Sequence, residues 1–153
     1  PMTVIKNTKG KGLKRLIGLL KGMSESQVFV GVTKDTNARP DGGSNAVIGM
    51  THEFGSARKG IPERSHLRAT IVENGSKYSK MVAEDIPKAI KNGMSSYDAY
   101  SVFGTQAMND VKFRIVSGSY TPLNPMTIKA KGSSKPLIDT GAYRNSITYR
   151  VDK

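Results

Sequence analysis

Cysteine and tryptophan are absent from this 153-residue chain, and aromatic residues make up only 7% of it. Without cysteine the chain has no disulfide framework, no cysteine-based metal site and no thiol nucleophile. A chain of this length is expected to form one domain with its own core, which here covers residues 1–153. Because only 37% of the residues are hydrophobic, we expect that core to be modest.

Acidic residues are also scarce, with 12 against 24 lysines and arginines, which leaves a formal net charge of +12. This balance favours an anionic partner, such as nucleic acid, a membrane surface or an acidic protein face. The alternative is that the charge serves only solubility. No apolar run approaches the roughly 18 residues that a membrane span needs, and the N-terminus lacks a signal-peptide cleavage pattern. The default expectation is a soluble cytoplasmic protein with no membrane partner.

The first two predicted elements are a helix and a strand. Apolar residues at helical spacing predict a basic amphipathic helix over Lys11–Met23, within the basic segment 1–24: Leu13, Leu16, Ile17 and Leu20. Such a helix can lie on a membrane, but packing on the core with a solvated basic face is the favoured interpretation. Alternating valines in SQVFVGVT, at Val28, Val30 and Val32, predict a strand.

The middle of the chain is predicted to be mostly helical, with two polar loops, KDTNARPDGGS and SARKGIPERS. Between these loops, NAVIGMTHEFG predicts a short helix capped by Asn45 and ended at Gly55. HLRATIV is apolar and β-branched and is interpreted as a possible strand. Residues 74–91 have helical spacing, although Pro87 is expected to kink or end that helix. A further helix, capped by Ser95 or Ser96, is predicted to run to about residue 116. Its apolar stripe consists of Tyr100, Phe103, Ala107, Val111 and Ile115.

The C-terminal part combines a long loop with a strand. Residues 117–140 are rich in Pro, Gly and Ser and predict an extended loop that is long enough to reach a neighbouring subunit. Asp139-Thr140-Gly141 predicts a turn, or the cap of one helical turn before residue 147. Alternation in ITYRV, within the closing segment 141–151, predicts a strand that completes its own sheet or adds to a neighbour's edge. The predicted fold is α+β: a small antiparallel or mixed sheet of two to four strands with three to four helices and long loops.

Catalytic and metal-binding patterns are incomplete. His52-Glu53 starts like the zinc motif H-E-x-x-H, but position 56 is serine, so the second histidine ligand is missing. The chain has neither a G-x-S-x-G elbow nor a Walker phosphate loop. We therefore expect no catalytic residues, no metal and no cofactor. A small Mg²⁺-dependent nuclease is kept as a hypothesis, because five acids are its possible ligands: Asp35, Asp41, Glu53, Glu63 and Asp139.

The basic loops suggest contact with a polyanion. The candidate residues lie in the second and third loops: Arg58, Lys59, Lys129, Lys131 and Lys135. Lysine and arginine in flexible loops contact phosphates without recognising base sequence. Because the chain has no helix-turn-helix, RNP or zinc-finger signature, the charge supports only non-specific, salt-sensitive binding.

Three segments together resemble a known family. They are AVIGMTHEFGSARKGIPERSHLR (46–68), SYDAYSVFGTQAMNDVKFRIVSG followed by YTPLNPMTIKAKGSSKPL (96–137), and LIDTGAYRNSITYRV (137–151). This succession resembles the tail-completion and neck proteins (minor tail protein Z-like, virion morphogenesis) of long-tailed bacteriophages. The resemblance spans about residues 27–151. It departs from the family pattern at Ser65-His66, where Pro-Phe is more usual.

The resemblance implies a structural role without catalysis. Such proteins form a ring or collar in the virion neck, between the head connector and the tail tube or its terminator. We expect self-association with six-fold or twelve-fold symmetry, assembly in the host bacterial cytoplasm, and passing contact with DNA. The alternatives are a tail terminator ring subunit and a non-specific nucleic-acid-binding protein. Structural or interface roles are expected for eleven residues: Glu53, Phe54, Gly55, Pro62, Arg64, Leu137, Asp139, Thr140, Gly141, Ser146 and Ile147.

Overall fold

A two-stranded antiparallel sheet joins the two ends of the described chain. The computed structural model describes residues 14, 17–18 and 21–152. Strand β1 (Gln27–Val32) pairs with β2 (Ile147–Asp152), so that Gln27 lies opposite Asp152 and Val32 lies opposite Ile147. Both strands were predicted from alternation, and the closing strand completes the sheet of its own chain.

The rest of the described chain is mainly helical, and the prediction of an α+β fold with a small sheet is confirmed. The helices are α1 (Lys34–Asn37), α2 (Asn45–Phe54), α3 (Leu67–Glu73), α4 (Gly75–Lys80), α5 (Ile86–Lys91), α6 (Ser96–Ser117), α7 (Pro125–Lys131) and α8 (Ala142–Ser146). A 3₁₀ turn at Ala57–Lys59 and a π-helical turn at Met81–Asp85 complete these elements. Short helices inside predicted loops raise the helix number above the three or four expected.

Helix α6 is the central element of the core. The Ser95 hydroxyl caps it by accepting a hydrogen bond from the backbone N–H of Asp98 at 3.0 Å. One face is buried along its whole length, through Ala99, Tyr100, Gly104, Ala107, Val111 and Ile115. Its N-terminal half packs with α5, and its C-terminal half packs with Tyr143 and Ile147. The predicted stripe on this helix therefore forms the core, and the sheet lies across it.

Two predictions around the polar loops need correction. HLRATIV forms helix α3 rather than a strand, because its first N–H groups are satisfied by side chains from elsewhere in the chain, which overrides the β-branched composition. The cap of α2 is Ser44, whose hydroxyl accepts from the Val47 N–H at 3.2 Å. Asn45 is buried instead, and its side-chain amide donates to the Thr36 carbonyl at 2.9 Å.

Pro87 neither ends nor interrupts the helical path over residues 75–91. It is the second residue of α5 and follows the π-helical turn at Met81–Asp85 without a break. Its missing N–H interrupts the backbone hydrogen-bond ladder, and a π-helical turn is a usual form of local change inside a continuous helix. The helix therefore continues past Pro87 and widens locally, so the alternative that the proline ends the helix is wrong.

The segment predicted as an extended loop, residues 117–140, contains helix α7. The Asn124 side chain accepts from the Met126 N–H at 2.9 Å, and Pro125 occupies the first helical position. Gly132 ends the helix in the left-handed conformation with φ of 70°. An asparagine cap followed by proline is a helix start, so the proline content that favoured a loop marks a boundary here.

The predicted N-terminal helix lies mostly outside the described residues. Residues 21–25 are helical and end directly before β1. Met23 packs against the core formed by α5 and α6, and its carbonyl accepts from the Tyr100 hydroxyl at 3.2 Å. Within the part of the chain that the structure describes, no helix has the length and hydropathy of a membrane span.

A close approach of α6 to the sheet gives a first prediction. A Cβ at Gly104 would overlap the Tyr149 ring, so Gly104→Ala must displace the ring or the helix. We expect a loss of about 1–3 kcal/mol in the free energy of unfolding, measured by urea denaturation. Gly75→Ala is the matched control, since nothing lies within 4 Å of its Cβ position. Equal stability of the two variants would contradict this packing.

Candidate functional site

A carboxylate from α2 caps the start of α3. Glu53 is only 4% exposed. Its Oε2 accepts from the backbone N–H groups of His66 and Leu67, both at 2.9 Å. Its Oε1 accepts from the Arg68 N–H at 3.0 Å and from the Ser65 hydroxyl at 2.6 Å. One side chain thus satisfies three N–H groups at the start of a helix that follows more than ten residues later.

The environment of Glu53 keeps its carboxylate ionised. Burial by itself would raise the pKa of Glu53. The hydrogen bonds from the Ser65 hydroxyl and from the three backbone N–H groups outweigh burial and hold that pKa below its ordinary value. The positive end of the α3 dipole acts in the same direction. The hydrogen-bond donors at the start of α3 therefore compensate the negative charge of Glu53 only when its carboxylate lies at this position. This requirement fixes the angle between α2 and α3.

His66 and Tyr143 extend this cluster to the C-terminal motif. His66 is fully buried, and its Nδ1 donates to the Arg64 carbonyl at 3.1 Å. Its Nε2 then accepts from the Tyr143 hydroxyl, and the two rings meet edge to face at a centroid distance of 5.3 Å. Burial lowers the pKa of His66 and raises that of Tyr143, so both rings stay neutral.

Arg64 attaches the segment after α6 to the same cluster. Its Nε donates to the Thr121 carbonyl at 2.9 Å, and its Nη2 donates to the Pro122 carbonyl at 3.1 Å. Arg114 of α6 donates from Nε to the Ser65 carbonyl at 3.3 Å. Arg64 was predicted to shape its own loop, and its 5% exposure and long-range bonds show that it also fixes the entry to α7.

Gly55 permits the sharp turn between Glu53 and Pro62. Its φ of 70° and ψ of −177° lie in a region that glycine alone occupies readily. A Cβ there would come within 2.9 Å of both the Glu63 nitrogen and the Ile61 carbonyl oxygen. The prediction that Gly55 ends the helix is confirmed, and the reason is close backbone packing.

The C-terminal motif places Tyr143. Gly141, with φ of 81°, is the N-cap of α8, and the Thr140 hydroxyl accepts from the Ala142 N–H at 3.3 Å. The Ser146 hydroxyl donates to the Tyr143 carbonyl at 2.7 Å. Leu137 and Ile147 are buried in the same core cluster as Tyr143, whereas Asp139 is exposed. Of the two readings of this motif, the helical-turn cap is therefore the one formed.

Four residues of this cluster were not singled out as site residues from the sequence: Ser65, His66, Arg114 and Tyr143. Ser65 and His66 could have been selected from the sequence, because they are the positions at which the chain departs from the family pattern. Tyr143 belongs to the third motif segment, whereas Arg114 carries no local signal, since its partner Glu73 lies 41 positions away.

The predicted polyanion contacts are spread over two elements. Arg58 and Lys59 are exposed on the 3₁₀ turn, and Lys129 is exposed on α7. Lys59 and Met126 line one hollow between these elements, which places the turn beside the start of α7. Lys131 is half-buried and donates to the Lys135 carbonyl at 2.8 Å. Burial lowers the pKa of Lys131, so this lysine is committed to its own loop.

An exposed apolar groove of about 490 Å³ lies between α2, α3 and one edge of β1. We call it the α2–α3 groove, and its apolar lining includes Val30 and Val32 of β1, Met50 and Phe54 of α2, and Leu67, Ile71 and Val72 of α3. Phe54 is 63% exposed, with the Arg68 guanidinium 5.6 Å from its ring centroid. The Glu53 cap sets the spacing between α2 and α3, and this spacing determines the width of the groove.

The polar cluster does not form a nucleophile and base. Catalysis by serine needs a hydroxyl bonded to a general base that a substrate can reach. Here the Ser65 hydroxyl donates to Glu53, and His66 is fully buried. Within the described ranges, no three His, Asp or Glu side chains are grouped to hold a metal ion. The arrangement can position helices and loops.

Comparisons with known proteins leave the site to be interpreted from its own geometry. The chain matches no family model, and neither curated proteins nor solved structures match it. The resemblance to phage neck proteins therefore stays a prediction that is based on the three motif segments.

The cap on α3 gives a second prediction. Glu53→Gln keeps the shape of the side chain but places an amide nitrogen against backbone donors, so we expect a loss of about 2–4 kcal/mol in the free energy of unfolding. Urea denaturation at neutral pH measures it. The matched control is Glu63→Gln, because Glu63 is an exposed partner of Arg68 and should change stability by less than about 1 kcal/mol. A Glu53→Gln variant as stable as the control would contradict the cap.

Burial of both histidines predicts that stability falls in acid. Burial lowers the pKa of His52 to about 4 and lowers that of His66, against an ordinary value of 6.5. The unfolded chain therefore takes up protons first, so stability is full above about pH 6.5 and declines as the pH falls towards 4. The Nδ1 of His52 also has no hydrogen-bond partner. Because His52→Gln removes one of the two groups that take up protons on unfolding, this variant should show a shallower pH dependence of the unfolding free energy between pH 7 and 5. Identical slopes would contradict this assignment.

Proposed function

We propose that this protein is a structural subunit of the bacteriophage neck, a tail-completion or head–tail joining protein in a ring or collar between the head connector and the tail tube. The observation that carries the proposal is the relation between three segments. In the first segment, Glu53 of HEFG accepts hydrogen bonds from the Leu67 and Arg68 N–H groups of IPERSHLR. Arg64 of the same segment donates to the Thr121 and Pro122 carbonyls of the second segment, and Gly49 of the first segment packs against Tyr143 of the third. A family pattern with one structural purpose is expected to converge in this way.

The nature of the contacts supports a structural role. Glu53, Arg64 and His66 of the motifs are buried, and their polar atoms are bonded mainly to backbone groups. What the cluster offers to the outside is the apolar α2–α3 groove and a fixed α7. Exposed apolar surface of this kind marks association with other proteins, which is the work of a virion connector.

Two alternatives differ in what the protein contacts. A tail terminator ring subunit would sit on the tail tube and stop its growth. A non-specific nucleic-acid-binding protein would depend on the +12 charge, with steep weakening of duplex binding by salt. The motif convergence favours the connector over the second alternative, because phosphate contact needs exposed cations rather than a buried polar cluster.

Electron microscopy of phage lysates tests the proposal. A phage with a stop codon early in this gene should produce DNA-filled heads that lie apart from tails of normal length. Supplying the intact chain from a plasmid should restore joined particles, and Glu63→Gln is the control variant that should restore them equally.

Two outcomes would contradict the connector. Particles that join normally without the chain would exclude the connector role, and the charge would then point to DNA. Tails of uncontrolled length would assign the protein to the terminator ring, because an uncapped tube continues to polymerise.

A further inference from the structure

Arg64 carries a buried charge that no acidic side chain of the chain pairs with. It is only 5% exposed, and its guanidinium group stays protonated throughout the ordinary pH range. All 12 acidic residues of the chain lie among the described residues, and none of them forms an ion pair with Arg64. Because an unpaired buried charge is destabilising, buried charges in proteins normally have an ionic partner.

Two nitrogens of the Arg64 guanidinium group are occupied, and the third is open. Nε and Nη2 donate to the carbonyls of Thr121 and Pro122. Nη1 bonds to no described residue and is not fully enclosed. It therefore opens towards a hollow of about 580 Å³ that Arg64 lines. We call this space the Arg64 hollow.

The lining of the Arg64 hollow is basic. Arg64 and Lys59 are its cations, and none of the described residues that line it is acidic. Burial lowers the pKa of Arg64, and no carboxylate raises it. Burial and the charge of Arg64 together lower the pKa of His52, which also lines the hollow, to about 4. The hollow therefore holds an uncompensated positive charge beside a neutral imidazole, which favours a negatively charged ligand.

The other walls of the Arg64 hollow are mainly apolar. They are formed by Ile61, Pro62, Pro122, Leu123 and Met126, and Met126 is 81% exposed. A matching ligand needs one negative group with apolar groups on either side of it. An acidic side chain between apolar residues of a protein segment has this chemistry, whereas a sugar-phosphate backbone does not. Arginine and methionine are also enriched where proteins contact one another.

The depth of Arg64 favours the same kind of ligand. A DNA duplex is stiff over many base pairs, so it contacts cations that project from a surface more readily than one at the base of a recess. A single glutamate or aspartate side chain is flexible and narrow enough to enter the hollow. Its two oxygens accept hydrogen bonds from two donors at once.

We propose that the Arg64 hollow binds a carboxylate from an acidic, apolar-flanked segment of another protein, with Arg64 Nη1 and Lys59 Nζ as the donors. This inference goes beyond the proposed function, because it does not depend on a place in the virion. The partner is expected to be acidic, since a chain of +12 attracts such a protein and repels a second copy of itself.

Nuclear magnetic resonance of the isotope-labelled full chain tests the site. The probe is the blocked tripeptide acetyl-leucyl-glutamyl-leucine amide, in which apolar side chains flank one carboxylate. We expect saturable shifts of the Arg64 Nε–H signal and of the Gly60 and Ile61 amide signals, because all three residues line the hollow. The matched control is the peptide with glutamine in place of glutamate, which keeps the shape and removes the charge.

The glutamine peptide should leave these signals unchanged. Equal shifts with both peptides would show that the hollow recognises apolar groups without a carboxylate, and they would overturn the inference. An Arg64 signal that does not move up to the solubility limit of the glutamate peptide would overturn it as well.

Lys59→Gln and Lys129→Gln separate the hollow from the general charge of the chain. Both lysines are exposed, so both variants should fold, but only Lys59 lines the hollow. Lys59→Gln should weaken binding of the glutamate peptide about two- to fivefold, the range of an exposed ion pair, and Lys129→Gln should leave it unchanged. Equal weakening by the two variants would contradict the site. Arg64 is kept, because it also holds the loop before α7.

Two other occupants give different results in the same assay. A short DNA duplex should leave the Arg64 signal in place. A duplex that competes with the peptide for this signal would assign the hollow to phosphate and overturn the inference. A second copy of the chain would shift the same signals as the protein concentration rises without peptide, and that result would also overturn it.

Failure of this inference and failure of the proposed function are distinguishable. The peptide assay uses the purified chain alone, whereas the connector role is tested by the phage with the stop codon. An Arg64 signal that ignores the peptide refutes the carboxylate site and leaves the connector role in place. Particles that join normally without the chain refute the connector role and leave the carboxylate site in place.

Discussion

The bond between the Glu53 carboxylate and the start of α3 is the constraint on which the surrounding structure depends. A buried carboxylate without partners would cost several kcal/mol. This one accepts four hydrogen bonds, three from backbone N–H groups that would otherwise lack partners inside α3. Because the cap comes from α2, the two helices are held at one distance and angle. The groove between them follows from that arrangement.

The other residues of the cluster transmit this constraint to distant parts of the chain. His66 lies directly at the capped end of α3, and its ring ties α3 to Tyr143 in α8. Arg64, two positions earlier, ties it to the loop before α7. Ser65 and His66 replace the more usual Pro-Phe of the resembling family, and both take part in hydrogen bonds that proline and phenylalanine side chains cannot make. At these two positions hydrogen bonds replace the apolar packing that proline and phenylalanine would provide.

The sequence was sufficient to predict the elements whose signal is local. Alternation at Val28, Val30 and Val32 predicted β1, and a five-residue apolar stripe with a serine cap predicted α6, since period and cap lie within the element itself. The error at α3 has the opposite origin: a β-branched segment became helical because its cap comes from Glu53, outside any local window. Helix α7 was missed for a different reason, since Asn124-Pro125 is a local start signal that the high Pro and Gly content obscured.

The residues of the site divide in the same way, into those with a local sequence signal and those whose role depends on distant parts of the chain. Glu53, Gly55 and Arg64 were selected as structural positions because they belong to a compact pattern in the sequence. Their actual work could not be predicted, because each acts on atoms far away in the chain: Arg64 bonds to carbonyls 57 and 58 positions later. Spacing along a chain shows which residues share an element, and it does not show which loops meet in a core.

The charge of the chain sets the α2–α3 groove apart from most of the surface. Most described acids are paired with nearby cations, as in Lys77–Asp110, Lys88–Glu84 and Arg150–Asp152, so the excess lysines and arginines set the outer field. Salt screens that field. Added salt therefore weakens binding to DNA and also reduces the repulsion between copies of the chain. The residues that line the groove carry one acid, Glu53, and one base, Arg68, so this apolar face has no excess of cations in a chain of +12.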